Sequence, residues 1–160
     1  MQTIYKIRVW GVITLVAIIF AFNQVDKSVN HLIDSIDEQT NAYQEELYKA
    51  KVEEDKNTIL ECLSYLESNH NSNLKVLDSN NKYSYGAFQF QISTLTDEFP
   101  ESSNAERIAI AKDYIHSKEV AKRMIFEEGK WAKWYNSFKK MENGRCPLLL
   151  EPDILNNYIN

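Results

Sequence analysis

The sequence predicts a mainly α-helical domain preceded by an N-terminal transmembrane helix and a helical stalk. Three observations lead there. Four Gly and three Pro in 160 residues are too few for a turn-rich all-β chain. The stretch VWGVITLVAIIFAF, residues 9 to 22, is almost wholly apolar. From Asp26 to Lys56 the chain is dense in charge and holds neither Gly nor Pro, so nothing there breaks a helix.

Residues 4–25 read as a signal anchor. No charge occurs from Val9 to Val25; Ile4, Tyr5 and Ile7 lengthen the run, and Lys6 and Arg8 are placed to snorkel to headgroups. A cleaved signal peptide would need a small-x-small site, and Ala21-Phe22-Asn23 is a poor one. The positive flank predicts a cytoplasmic N-terminus, a single pass, and everything after Asp26 on the extracytoplasmic side of the membrane.

Residues 26–56 read as a stalk. Val25, Val29, Leu32 and Ile36 make a helical seam that Tyr43, Leu47 and Ala50 continue, too interrupted to specify a coiled coil. The domain itself is placed at 57–144. Asn57-Thr58 would cap a new helix or continue the stalk, and Ile59, Leu63 and Leu66 then form an apolar stripe ending at Glu67. Five Asn between residues 69 and 82 predict a polar loop. Asp78-x-Asn80 resembles a calcium-loop start but lacks the required Gly, so no calcium is predicted.

Beyond Pro100 the pattern is helical. Ser103-x-x-Glu106 is a capping box for a helix through Ile108, Ala111 and Ile115. Ser117 is placed to cap the next helix, with Val120, Ala121, Met124 and Ile125 inward and Gly129 as terminator. Trp131, Trp134, Tyr135, Phe138 and Met141 line one face of a last helix that stops at Gly144. The tail, 145–160, carries Leu148 to Leu150 and Ile154-Leu155 for packing back on the domain. Cys62 and Cys146 are either two separate thiols or one disulfide formed in an oxidising compartment.

Composition narrows function. A formal charge of −5 with no basic stripe excludes nucleic acid as a main partner. His31, His70 and His116 have no metal-ligand spacing with each other or with a Cys, so no metal or other cofactor is predicted. Glu67 is the candidate catalytic group. At a helix C-terminus, beside Leu63 and Leu66, the macrodipole and desolvation both favour a retained proton, as a general acid requires. Facing it in sequence is Ser84-Tyr85-Gly86-Ala87-Phe88-Gln89-Phe90, in which Phe88 reads as core.

Glu67-Ser68 followed by Gly86-x-x-Gln89 resembles the lysozyme-like superfamily of lytic transglycosylases. The run from Asn81 to Phe90, with Ser93-Thr94, is also similar to the catalytic domain of resuscitation-promoting factors. Trp134-Tyr135-Asn136 resembles the Ala-Tyr-Asn motif of soluble lytic transglycosylases, without the Ala and the trailing Gly-Pro. The resemblance covers roughly residues 58 to 142. It implies a lysozyme-like helical fold that cleaves the β-1,4 bond between N-acetylmuramic acid and N-acetylglucosamine in peptidoglycan glycan strands. Glu67 would protonate the leaving oxygen and then take the muramic C6 hydroxyl proton, giving a 1,6-anhydro end. Ser84, Tyr85, Gly86, Gln89 and Tyr135 would bind substrate, with Gly86 letting the backbone approach the sugar.

Two alternatives stand beside the membrane-anchored transglycosylase. One is a lysozyme-type hydrolase in which Asp78, the one nearby acid, activates water; the Asp78-Ser79-Asn80-Asn81 run marks Asp78 instead as a turn residue. The other is a glycan-binding or scaffold protein of the same fold. A cell-envelope machine would be a further partner.

Overall fold

The computed structural model describes residues 2–146, with side chains from Phe20 onward. The chain is mainly helical. It divides into two units, Met1–Ala50 and Lys51–Asn160. Helix α1, Gln2–Ser68, makes up the described part of the first and continues into the second. Asn57-Thr58 therefore starts no new helix: Thr58 Oγ1 donates back to the Glu54 carbonyl at 3.0 Å, as a hydroxyl inside a helix does.

In the first unit Val25, Val29, Leu32 and Ile36 are exposed. Among the described residues no helix is long and apolar enough to cross a membrane. The span expected over 4–25 thus has no structural support, and its side chains up to residue 19 lie outside the described residues. The tail beyond Cys146 lies outside them as well.

The second unit holds the core. Ile59, Leu60, Cys62 and Leu63 form one fully buried face of α1. Against it pack α2 (Ile92–Glu98), α3 (Asn104–Lys112), α4 (Tyr114–Phe126), a 3₁₀ turn (Trp131–Trp134) and α5 (Tyr135–Glu142). Each large apolar side chain removed from water there stabilises the fold by roughly 1.5–3 kcal/mol. The Ser103 capping box forms as its sequence implies, with Glu106 N donating to Ser103 Oγ at 3.3 Å and Ser103 N to Glu106 Oε2 at 2.7 Å.

The expected cap at Ser117 does not form. Asp113 caps α4 one turn earlier, accepting from His116 N at 2.9 Å, because a carboxylate accepts the orphan N–H groups of a helix start more strongly than a hydroxyl. Ser117 is instead fully buried inside α4 and donates to the Tyr114 carbonyl. The break at Asp113 also turns Ile115 outward, 75% exposed, where the sequence pattern placed it inward.

The polar loop after Glu67 contains structure that the sequence pattern did not predict. Strands β1 (Lys75–Leu77), β2 (Tyr83–Tyr85) and β3 (Phe90–Gln91) form an antiparallel sheet in the order β1-β2-β3. Val76, Ser84 and Gln91 lie across from one another in one row. Between β2 and β3, Gly86 has φ 77°, and a Cβ there would meet the Ala111 carbonyl oxygen at 1.7 Å. Close passage of this backbone against the end of α3 is what requires a glycine.

Cys62 and Cys146 form a disulfide, with Cα atoms 5.5 Å apart and a sequence separation of 84. The disulfide alternative is the one realised, and it ties the chain beyond α5 to the buried face of α1. In a chain-entropy description, a loop of this length gives roughly 4–5 kcal/mol of stabilisation.

Two stability measurements check this frame. Gly86→Ala should lose roughly 2–5 kcal/mol in chemical unfolding, since both the conformation and the space are wrong for a side chain. Gly129→Ala has the same kind of φ, 64°, but nothing within 4 Å, so it should lose only about 1–2 kcal/mol. Equal losses would remove the close-packing explanation. Cys146→Ser should lower stability by roughly 2–5 kcal/mol under oxidising conditions and change nothing once the parent is reduced.

Candidate active site

The sheet and α5 enclose a cleft of about 690 Å³, and Glu67 lines it. Glu67 is the penultimate residue of α1, so the helix delivers it at the end where unpaired carbonyls gather. The helix then stops on two left-handed residues, Asn69 (φ 54°) and His70 (φ 60°).

The neighbouring Ser68 explains why a hydroxyl follows the acid. Its Oγ lies 2.9 Å from the Ala87 carbonyl and 3.1 Å from that of Ser64, and it accepts from Asn71 N at 3.0 Å. Its single proton serves one carbonyl at a time, and the contact with Ala87 joins the end of α1 to the Gly86–Gln89 turn.

Glu67 Oε1 accepts a 2.6 Å hydrogen bond from Ser137 Oγ, on the buried face of α5. Burial raises the Glu67 pKa above the ordinary carboxyl value; the Ser137 bond and the Lys140 charge pull it down, while Asp78 adds to the rise. The net direction is upward, which keeps a proton on Glu67 further toward neutral pH.

Asp78 follows β1 and also lines the cleft. Its backbone makes the hairpin turn, donating to the Lys82 carbonyl at 2.8 Å and accepting from Asn81 N at 2.9 Å. Its side chain takes no part in that turn. Asn80 Oδ1 accepts from Lys82 N at 3.0 Å, and Asn81 takes the positive φ of 63°. The Asp78 carboxylate instead accepts from Ser84 Oγ at 2.5 Å and Gln91 Nε2 at 2.7 Å, both on Oδ2. Asn80 Nδ2 holds the Gln91 amide from behind at 3.3 Å. The turn reading of Asp78 therefore holds for its backbone and fails for its carboxylate.

Of the residues expected to bind substrate, Ser84, Gln89 and Tyr135 line the cleft with Glu67. Ser84 is buried and committed to Asp78. Gln89 (φ 51°) donates from Nε2 to the Gly86 carbonyl at 2.6 Å, which closes the Gly-x-x-Gln turn and leaves Oε1 for a ligand. Tyr135 is 50% exposed and stacks on Trp131 with ring centroids 6.3 Å apart.

Tyr85 and Gly86 are not among the cleft-lining residues. Strand alternation sends Tyr85 to the other face, beside Tyr83 and Lys75, and Gly86 is accounted for by Ala111. Phe88 is fully buried as expected, and its carbonyl accepts from Trp134 Nε1 at 2.8 Å.

Sequence reasoning missed Ser137, Gln91, Lys133 and Lys140, all of which line the cleft. Ser137 carried a usable signal: it is a hydroxyl on a helix face otherwise buried through Trp134, Phe138 and Met141, and a polar group there needs a partner. Among the described residues no three His, Cys, Asp or Glu side chains are grouped to hold a metal.

The arrangement offers a half-buried carboxyl whose pKa is raised and a second carboxylate held by two donors, both lining one polar cleft. That is equipment for protonating a leaving oxygen while a charge or a water is managed nearby. Compared with known proteins, the chain matches no family model, no curated protein and no solved structure.

The raised pKa has a stability consequence. The native state holds the Glu67 proton more tightly than the unfolded chain, so this contribution is fully present below the unfolded value of about 4.5 and is lost as pH rises through the folded value. Glu67→Gln removes that loss and leaves an oxygen for Ser137 to donate to. Its melting temperature should exceed that of the parent at about pH 7.5, with the gap closing by about pH 4. A gap independent of pH would mean that Glu67 titrates as an ordinary surface carboxyl.

Proposed function

We propose that this protein is a glycosidase-type enzyme that cleaves the β-1,4 bond between N-acetylmuramic acid and N-acetylglucosamine in peptidoglycan, with Glu67 as general acid. The observation that carries the reading is Glu67 itself: buried enough for its pKa to rise, bonded to Ser137, and open to a cleft of about 690 Å³. The resemblance of Glu67-Ser68 and Gly86-x-x-Gln89 to the lysozyme-like superfamily supports the choice of substrate.

Two outcomes follow from one acid, and Asp78 ranks them. Its carboxylate shares the cleft with Glu67, with Oδ2 held by Ser84 and Gln91 and, among the described residues, no bond to Oδ1. A second carboxylate in the same cleft is what a lysozyme-type hydrolase requires, and there Asp78 would activate water or stabilise the oxocarbenium-like centre. The lytic transglycosylase is the second reading, favoured by the Glu-Ser and Gly-x-x-Gln motifs; it needs Glu67 alone, acting as acid and then as base toward the muramic C6 hydroxyl. A glycan-binding scaffold of the same fold is the third reading, and a buried Glu67 with a raised pKa weighs against it.

The location we propose is extracytoplasmic, behind a single-pass anchor at residues 4–25. The Cys62–Cys146 disulfide supports it, because such bonds persist in oxidising compartments.

Digestion of purified peptidoglycan with mass detection of the products tests the whole reading. Glu67→Gln should lower turnover by roughly a hundredfold or more while glycan binding persists. Near-normal turnover would end the catalytic assignment, and binding without any turnover in the parent would leave a scaffold. Asp78→Asn separates the two chemistries. A hydrolase should lose most of its activity and the parent should yield reducing ends. A transglycosylase should keep its activity and yield anhydro ends one water lighter, which borohydride does not reduce.

A further inference from the structure

We propose that the cleft selects glycans bearing carboxylate substituents, and that Lys133 and Lys140 are the cations that receive them. This deepens the glycan-cleaving reading and rests on it.

Residues 132 to 137 and Lys140, in the segment formed by the 3₁₀ turn and α5, all line the cleft. Ser137 among them is spoken for by Glu67. The two lysines are exposed, and among the described residues neither is in an ion pair.

Their neighbours on the same segment differ. Lys130 pairs with Glu98 at 2.8 Å and with Glu128 at 2.6 Å, and Lys139 pairs with Glu142 at 2.8 Å. Neither Lys130 nor Lys139 lines the cleft. The segment thus neutralises its lysines where they face away from the site and leaves them unpaired where they face into it. In a chain of formal charge −5, acidic partners are in good supply, so general scarcity does not account for the difference.

The opposite wall carries Asp78, Asn80 and Gln91, which offer one anion and neutral amides. The cleft is therefore polarised across its width. A neutral amino-sugar polymer satisfies the amide wall and leaves Lys133 without an anion and Lys140 with only the charge of Glu67. A glycan with acyl or peptide carboxylates along one edge satisfies both walls and enters in one orientation, with its anionic edge toward α5.

The test uses the full chain carrying Glu67→Gln, which holds glycan without consuming it and removes the titration of the acid. Two probes of matched length are compared by titration: neutral β-1,4 N-acetylglucosamine oligomers, and soluble peptidoglycan fragments with their stem-peptide carboxylates. The anionic probe should bind roughly threefold to tenfold more tightly, the scale of two solvent-exposed ion contacts. That preference should shrink as ionic strength rises from about 0.05 to about 0.5 M. Lys133→Ala with Lys140→Ala should abolish it, and the paired Arg substitutions should retain it.

Equal affinity for the two probes, binding of neither, or a preference that survives the double Ala substitution would overturn the proposal. Turnover by the unsubstituted chain is scored separately. Selective binding of the anionic probe without cleavage of any glycan would support the cation assignment while removing the enzymatic reading.

Discussion

Three consecutive carbonyl groups, those of Gly86, Ala87 and Phe88, set the geometry of the site. The chain turns sharply here, with left-handed residues at both Gly86 and Gln89, so these oxygens cannot enter the strand ladder on either side. Buried acceptors still need donors, and each finds one from a different element. Gly86 takes the backbone and side-chain N–H of Gln89, Ala87 takes the Ser68 hydroxyl, and Phe88 takes the Trp134 indole. The first bond shapes the turn, the second fixes the end of α1 that carries Glu67, and the third fixes the start of the α5 wall. Gly86 is held in turn by the Ala111 carbonyl, which leaves no space for a side chain. A turn of four residues thereby positions both the acid and the wall opposite it.

The electrostatics of the cleft follow from that placement. Burial raises the Glu67 pKa, while Ser137 and Lys140 limit the rise. Asp78, nearer the sheet, has two side-chain donors on one oxygen. Two carboxyl groups in one cleft thus have unlike surroundings, one mainly desolvated and one held by two hydrogen bonds. The stability given up by burying Glu67 is the cost of having that acid available.

Much of this was legible in the sequence because it is local. The apolar stripe through Ile59 and Leu63, the Ser103 capping box and the glycine stops at Gly129 and Gly144 each depend on residues a few positions apart. Glu67, Ser84, Gln89 and Tyr135 were found from motif spacing, and all four line the cleft. The strands were not visible, since segments of three, three and two residues are too short to display a period of two. Reading Asp78 as a turn residue holds for its backbone, but turn composition is silent on where the carboxylate points. Ser137 lies 70 positions from Glu67, and no local pattern announces such a bond. Tyr85 and Gly86 belonged to the same motif but serve the far face of the sheet and the packing against α3.

The disulfide completes the same logic from the other side of the acid. Cys62 lies five positions before Glu67 on α1, on the fully buried face, and Cys146 lies four beyond the end of α5. The Glu67–Ser137 hydrogen bond is thus bracketed by a covalent link at one end of α5 and by the Trp134–Phe88 bond at the other. A single hydroxyl–carboxylate contact contributes little rigidity alone, and its net contribution to stability is about 1–3 kcal/mol. Bracketing converts it from one contact among many into the place where two fixed elements meet. Reduction of the disulfide would remove the covalent bracket and leave the Trp134–Phe88 bond as the remaining one.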